Sequence, residues 1–175
     1  MRNIYKVILI YTILMALLFT YLFIRELLFS ESLPNSDLIV LLIILVAFAY
    51  VVFKNISYFN EPTESNLKMS LRCNKILYGL QIIQFKISGI IYYQMYCSKA
   101  FIYLTSDDNT GSQLGYQIDL YEFRYILKIT DDKDFLIGIN AFALLLFGFF
   151  IFFENSLKKS NELLPIDNEL NDLDK

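Results

Sequence analysis

The chain has 175 residues, 56% hydrophobic and 19% charged, with a formal charge of −3 and a mean hydropathy of +0.47. Ordinary soluble domains carry roughly 45–50% apolar and about 25% charged residues, so the balance excludes disorder and leans towards a bilayer. A pI near 5.0 without a basic run disfavours nucleic acid as a partner, and the absence of histidine removes the usual neutral-pH base and the commonest metal ligand.

Charges punctuate the chain sharply. Residues 7–24, 38–53 and 135–153 carry none, in runs of eighteen, sixteen and nineteen. A hydrocarbon core about 30 Å thick takes ~20 helical residues, usually ~17–25. The first and third runs qualify directly, and local thinning or interfacial flanks accommodate the second. Arg2 and Lys6 give the first run the look of a signal peptide. Its length and its ending in Arg25, Glu26 and Leu27 suit a retained anchor better than a cleaved one. Residues 1–53 are therefore expected to form a transmembrane hairpin.

Basic residues set the expected orientation. An N-terminus inside places seven basic side chains on the inner side, among them Arg2, Lys6, Lys54, Lys68 and Arg124, against three outside. The N-terminus and the segment between the second and third runs are expected on the cytoplasmic, positive side of a membrane of unspecified identity.

Residues 54–134 hold nine basic and nine acidic residues, and their longest uncharged stretch, 87–98, is too short to span. Alternation is visible instead. Met69, Leu71 and Cys73 oppose Ser70, Arg72 and Asn74; Ile83, Phe85 and Ile87 oppose Gln84, Lys86 and Ser88. Further on, Tyr116, Ile118 and Leu120 oppose Gln117, Asp119 and Tyr121, and Phe123, Tyr125, Leu127 and Ile129 follow the same rhythm. Period two with β-branched and aromatic enrichment marks strands. Breaks near Gly79, at Ser88–Gly89, at Ser98–Lys99 and around 106–111 predict five to six antiparallel strands, as a small sheet or partly closed barrel. Tyr92, Tyr93, Tyr96 and Tyr103 gather around one hairpin; an apolar ring with a polar tip suits an interface, and it equally covers a sheet face.

The fold class that results is membrane α + β, with three transmembrane helices and a small antiparallel β-domain inserted between helices 2 and 3. The third helix occupies 135–153, and a polar acidic tail follows over 154–175. Small side chains are expected to form packing seams between helices. Thr12, Ala16 and Thr20 lie four apart on the first helix. Gly138, Ala141, Leu145 and Gly148 form a stripe on the third, with Asn140 beside it seeking a partner for its amide.

Chemistry finds little support. Catalytic triads needing histidine are absent, and Cys73 and Cys97, 24 residues apart, form no C-x-x-C motif. On the favoured orientation both are reduced; in an oxidising compartment they would pair. The six glycines make neither a phosphate loop nor a dinucleotide fingerprint. Asp107, Asp108 and Asn109 resemble the opening of a calcium loop, but Gly111 falls one place early and Ile118 stands where a glutamate belongs. Asp131, Asp132 and Asp134 read as a charged stop before the third run, and the sequon at Asn55 lies too close to the second helix to be used. No catalytic, cofactor-binding or metal residue is assigned.

The reading is a non-catalytic multi-pass membrane protein acting through protein–protein contacts. It would be an accessory subunit of a larger membrane complex, or an immunity-type protein. Its partners are the bilayer and other membrane subunits or further copies of itself. The alternative is a sensor-effector whose β-domain binds a ligand and drives the helices to oligomerise and perturb the membrane. Two spanning helices before a small β-barrel resemble, in layout alone, bacterial antiphage effectors gated by cyclic nucleotides; the third helix departs from that plan.

Overall fold

The computed structural model describes residues 2–29, 35–107, 111–129 and 134–162. Its elements, in chain order, are α1 (Arg2–Phe29), α2 (Asn35–Asn60), α3 (Glu64–Gly79), β1 (Ile83–Ile87), β2 (Ile90–Asp107), β3 (Gly111–Ile129), β4 (Phe135–Asn140) and α4 (Ala141–Glu162). Three of the four described helices contain segments long and apolar enough to cross a membrane: Arg2–Leu22, Leu42–Asn60 and Ala141–Lys159.

α1 and α2 run antiparallel. Phe19 stacks on Phe48 with ring centroids 5.1 Å apart, and Tyr5 meets Tyr58 edge-on at 5.5 Å. α4 adds Phe150 and Phe153, which close around Tyr5. The core formed by these aromatics with Leu9, Ala16, Leu71 and Leu77 lies between the helices. The opposite faces of α1, α2 and α4 present Leu14, Leu17, Ile43, Val46, Leu145 and Phe152 outward. A soluble helix reserves that face for polar groups. Here it is apolar.

α3 corrects the expected strand at 69–74. Leu71, Asn74 and Tyr78 recur at helical spacing, and with Ser70, Cys73 and Leu77 they form the buried face. Thr63 caps the helix, its hydroxyl accepting from the Asn66 amide at 3.2 Å, and Glu64 occupies the first turn, where the helix dipole favours an acid. Six residues of alternation were too few to outweigh that start signal. α3 lies alongside α1 in the same direction, since Ser70 meets Tyr5 and Tyr78 meets Thr12.

The sheet therefore begins at Ile83, after an additional helix. It also ends later than expected, because 135–140 form β4 and not the start of the third helix. Phe135, Ile137 and Ile139 alternate with Leu136, Gly138 and Asn140, and β4 inserts antiparallel between β1 and β2. Asn140 then turns the chain into α4, accepting through Oδ1 from the Ala143 amide at 3.4 Å as a helix cap. Four described strands replace the expected five to six, in the order β1-β4-β2-β3. β1 also pairs with the first residues of β2, so β1, β4 and β2 pair in a ring.

Of the four expected breaks, the one at Gly79 ends α3, the one at Ser88–Gly89 is a turn and the one at Ser98–Lys99 is not. Ser88 and Gly89 join β1 to β2 with φ of 49° and 83°, the two positive values that a two-residue hairpin of matching twist requires. At the fourth, Asp107 on β2 pairs with Gly111 on β3, and residues 108–110 lie outside the described residues. At Ser98 the strand continues, with a register shift between Cys97 and Lys99. A bulge bends a strand without ending it, which is how β2 serves both halves of the ring.

Candidate functional site

The residues singled out by sequence fall in three places, and the fold assembles a fourth. The first is a buried polar layer between α1, α2 and α3. Asn55 Oδ1 accepts from Ser70 Oγ at 2.7 Å and from Asn74 Nδ2 at 2.8 Å, and the Tyr5 hydroxyl bonds Ser70 Oγ at 2.7 Å. Two turns along α1, Thr12 and the Tyr78 hydroxyl share a bond of 2.8 Å. Thr12 and Ala16 are thus buried within the chain's own core, while Thr20 turns its hydroxyl back to the Ala16 carbonyl. Buried polar groups are tolerated when they satisfy one another. Cys73, a free thiol on α3, is buried beside this layer. Burial pushes its pKa above the ordinary thiol value, against the pull of Lys54 and Arg72.

The second place is the bulge of β2. Ser98 donates its amide to the Tyr11 hydroxyl and accepts that hydroxyl's proton on Oγ, both at 2.9 Å; its own hydroxyl donates to the Leu120 carbonyl at 2.6 Å. Next to it, the Lys99 side chain is 1% exposed and forms ion pairs with Glu122 and, at 3.4 Å, with Asp119. Its ammonium also stands 5.8 Å from the centre of the Phe101 ring. Strand alternation puts Asp119 and Glu122, three residues apart, on opposite sheet faces, yet Lys99 reaches both. A cation bound by two carboxylates is neutralised, which makes this cluster a fastening between β2 and β3.

The third place holds the tyrosines. Tyr103 covers Gly115 on β3 and Gly138 on β4, and Phe101 also lies over Gly138. Tyr93 meets Phe101 edge-on, and Tyr92 bonds the Leu80 carbonyl at 2.8 Å. Tyr92, Tyr93 and Tyr103 thus cover the sheet and tie it to the end of α3; the Tyr96 and Cys97 side chains lie outside the described residues, as do Asn109, Asp131, Asp132 and the tail beyond 162. Gly138 and Asn140 belong to β4, which splits the stripe expected on the third helix. Ala141 opens α4, and Gly148 faces open space.

The fourth place was not legible from spacing. An open groove of about 770 Å³ lies between the start of α1, α3 and the second half of α4. Arg2, Lys68, Arg72, Lys75 and Lys158 line it with Glu64 and Glu154 over an apolar floor. Lys75 binds Glu154 at 2.5 Å and Lys68 binds Glu64 at 2.7 Å. The surplus of cations disposes the groove to anions. Among the described residues no group of three or more potential metal ligands converges. No protein-family model, curated protein or solved structure matches the chain.

Proposed function

We propose that the protein is a non-catalytic multi-pass membrane protein that acts by binding other proteins, as a subunit of a larger membrane assembly or as an immunity-type protein. Its three long apolar helices cross the bilayer and its sheet supplies a recognition surface. The observation that carries this reading is where polarity lies. Buried polar and charged side chains are bonded to polar partners, Asn74 to Asn55 and Lys99 to Glu122, whereas large apolar side chains cover the outside of helices and sheet alike. A surface arranged in that way is stable against lipid or against another protein.

The test is affinity purification of the tagged full chain from membranes in mild detergent, followed by identification of what accompanies it. A second polypeptide at fixed ratio is the expected result. Recovery of the chain from cells in plain buffer, without detergent, overturns membrane residence. Leakage of cells on overexpression, with nothing co-purifying, favours the sensor-effector reading instead.

A further inference from the structure

β3 forms one margin of the sheet. Helices pack on β2 and β4, and β3 pairs with β2 alone among the described residues. Natural sheets guard such margins with charges, proline or a covering element, because open backbone groups template another strand. Residues 111–120, reading GSQLGYQIDL, contain no proline and one charge, Asp119. That carboxylate is engaged by Lys99 and by Gln117 Nε2, the latter at 2.8 Å. Leu114, Tyr116, Ile118 and Leu120 stand on one face, 79, 80, 73 and 85% exposed. This margin is built to pair.

The sequence along it also says with what. A strand that pairs antiparallel with its own copy does so about one residue, and residues equally far from that centre face each other. About Gln117, Leu114 meets Leu120 and Tyr116 meets Ile118, so all four apolar side chains find apolar partners on the same face. On the other face Asp119 meets Gly115, and no like charges oppose. A centre at Tyr116 would set Leu120 against Ser112, and one at Ile118 would set Leu114 against Glu122. We infer that two copies of this chain join along β3, antiparallel about Gln117, merging their sheets into one. The inference rests on the reading of the chain as an interaction protein and names its partner as a second copy.

Single cysteines in the full chain carrying Cys73→Ser and Cys97→Ser test it, under mild oxidation in detergent and in lipid nanodiscs. Gln117→Cys is expected to link two copies and double the polypeptide mass. Gln113→Cys stays single, because its two copies would lie about 26 Å apart along the strands at ~3.3 Å per residue. Leu114→Cys mixed with Leu120→Cys yields the crossed pair. Linkage through Leu114→Cys alone, with none at Gln117→Cys, places the copies face to face and overturns edge pairing. The mass of the unaltered chain in mild detergent gives an answer independent of any variant, and a single copy overturns the inference. A single copy holding a different polypeptide at fixed ratio leaves the broader reading standing; a single copy with no companion removes both.

Discussion

The hydroxyl of Tyr11 fills the bulge at Ser98, accepting from its amide and donating to its Oγ, both at 2.9 Å. A bulge leaves a backbone amide without a ladder partner, and here a side chain from the first helix supplies one. Tyr11 lies four residues inside the charge-free run 7–24, so the sheet docks against the apolar part of α1. Tyr11→Phe keeps the ring and orphans the Ser98 amide, which costs about 1–3 kcal/mol. Hydrogen exchange should show faster exchange at Ser98, with Phe101, paired to both β3 and β4, unchanged.

The layer around Asn55 gives a ranked expectation. Its Oδ1 accepts two bonds, from Ser70 Oγ and Asn74 Nδ2. Asn55→Ala therefore strands two donors, each at about 1–3 kcal/mol, although Ser70 Oγ still contacts Tyr5. Ser70→Ala strands less, because Asn55 keeps Asn74. Unfolding in detergent should lower the midpoint more for Asn55→Ala than for Ser70→Ala; the reverse order would show that the layer does not centre on Asn55.

Lys99 is buried with Glu122 and Asp119 as its counter-charges. Removing one partner of a buried ion pair costs about 3–5 kcal/mol, whereas replacing the whole set with apolar groups is often neutral. Glu122→Gln should destabilise towards the lower end of that range, since Asp119 remains. Lys99→Met combined with Glu122→Gln should recover part of the loss. A double-mutant cycle on unfolding free energies measures the coupling, and a coupling near zero would contradict the fastening role.

Cys73 supplies a pH dependence. Its thiol pKa is raised by burial, and only the thiolate reacts. The folded chain with Cys97→Ser should therefore resist alkylation at pH values where an ordinary thiol, near 8.5, already reacts. The sign for stability follows. The contribution is constant below the unfolded thiol pKa and is lost as pH climbs from there towards the raised folded value, because the unfolded chain releases the proton first. Alkylation at the same rate in folded and denatured protein would show Cys73 to be accessible.

What was legible in the sequence was whatever one face or one run of residues decides. The long apolar helices declare themselves through missing charge, and the hairpin at Ser88–Gly89 through its turn residues. The strands β1 and β3 show in their alternation. The failures share a cause: where a helix and a strand adjoin, an apolar run does not reveal which period it obeys. Residues 135–140 lie in an uncharged stretch that continues into α4, and only their pairing with β1 and β2 makes them a strand. At 69–74 a short alternation coincides with one side of an amphipathic helix, whose start is marked by Thr63 and Glu64. The groove at Arg2, Arg72 and Lys158 joins positions up to 156 residues apart, and no local pattern connects them.

The divided fate of the glycine stripe gives the last expectation. A Cβ on Gly138 would fall 2.2 Å from Phe101 Cζ and 2.8 Å from Tyr103 Cβ, while one on Gly148 would meet nothing within 4 Å. Gly138→Ala must displace the ring that covers the strand, and overpacking of that kind costs about 1–3 kcal/mol. Gly148→Leu places its side chain on the outer surface of α4 and should leave the folding of one chain unchanged. Ala16→Leu belongs with Gly138, since Ala16 is 2% exposed against the core. Thermal unfolding and detergent-solution mass separate the cases: Gly138→Ala and Ala16→Leu lower the unfolding midpoint. Gly148→Leu changes the mass alone, if α4 also meets a neighbour through that surface, or changes nothing. A lowered midpoint for Gly148→Leu, at unchanged mass, would mean that its surroundings within the chain are filled.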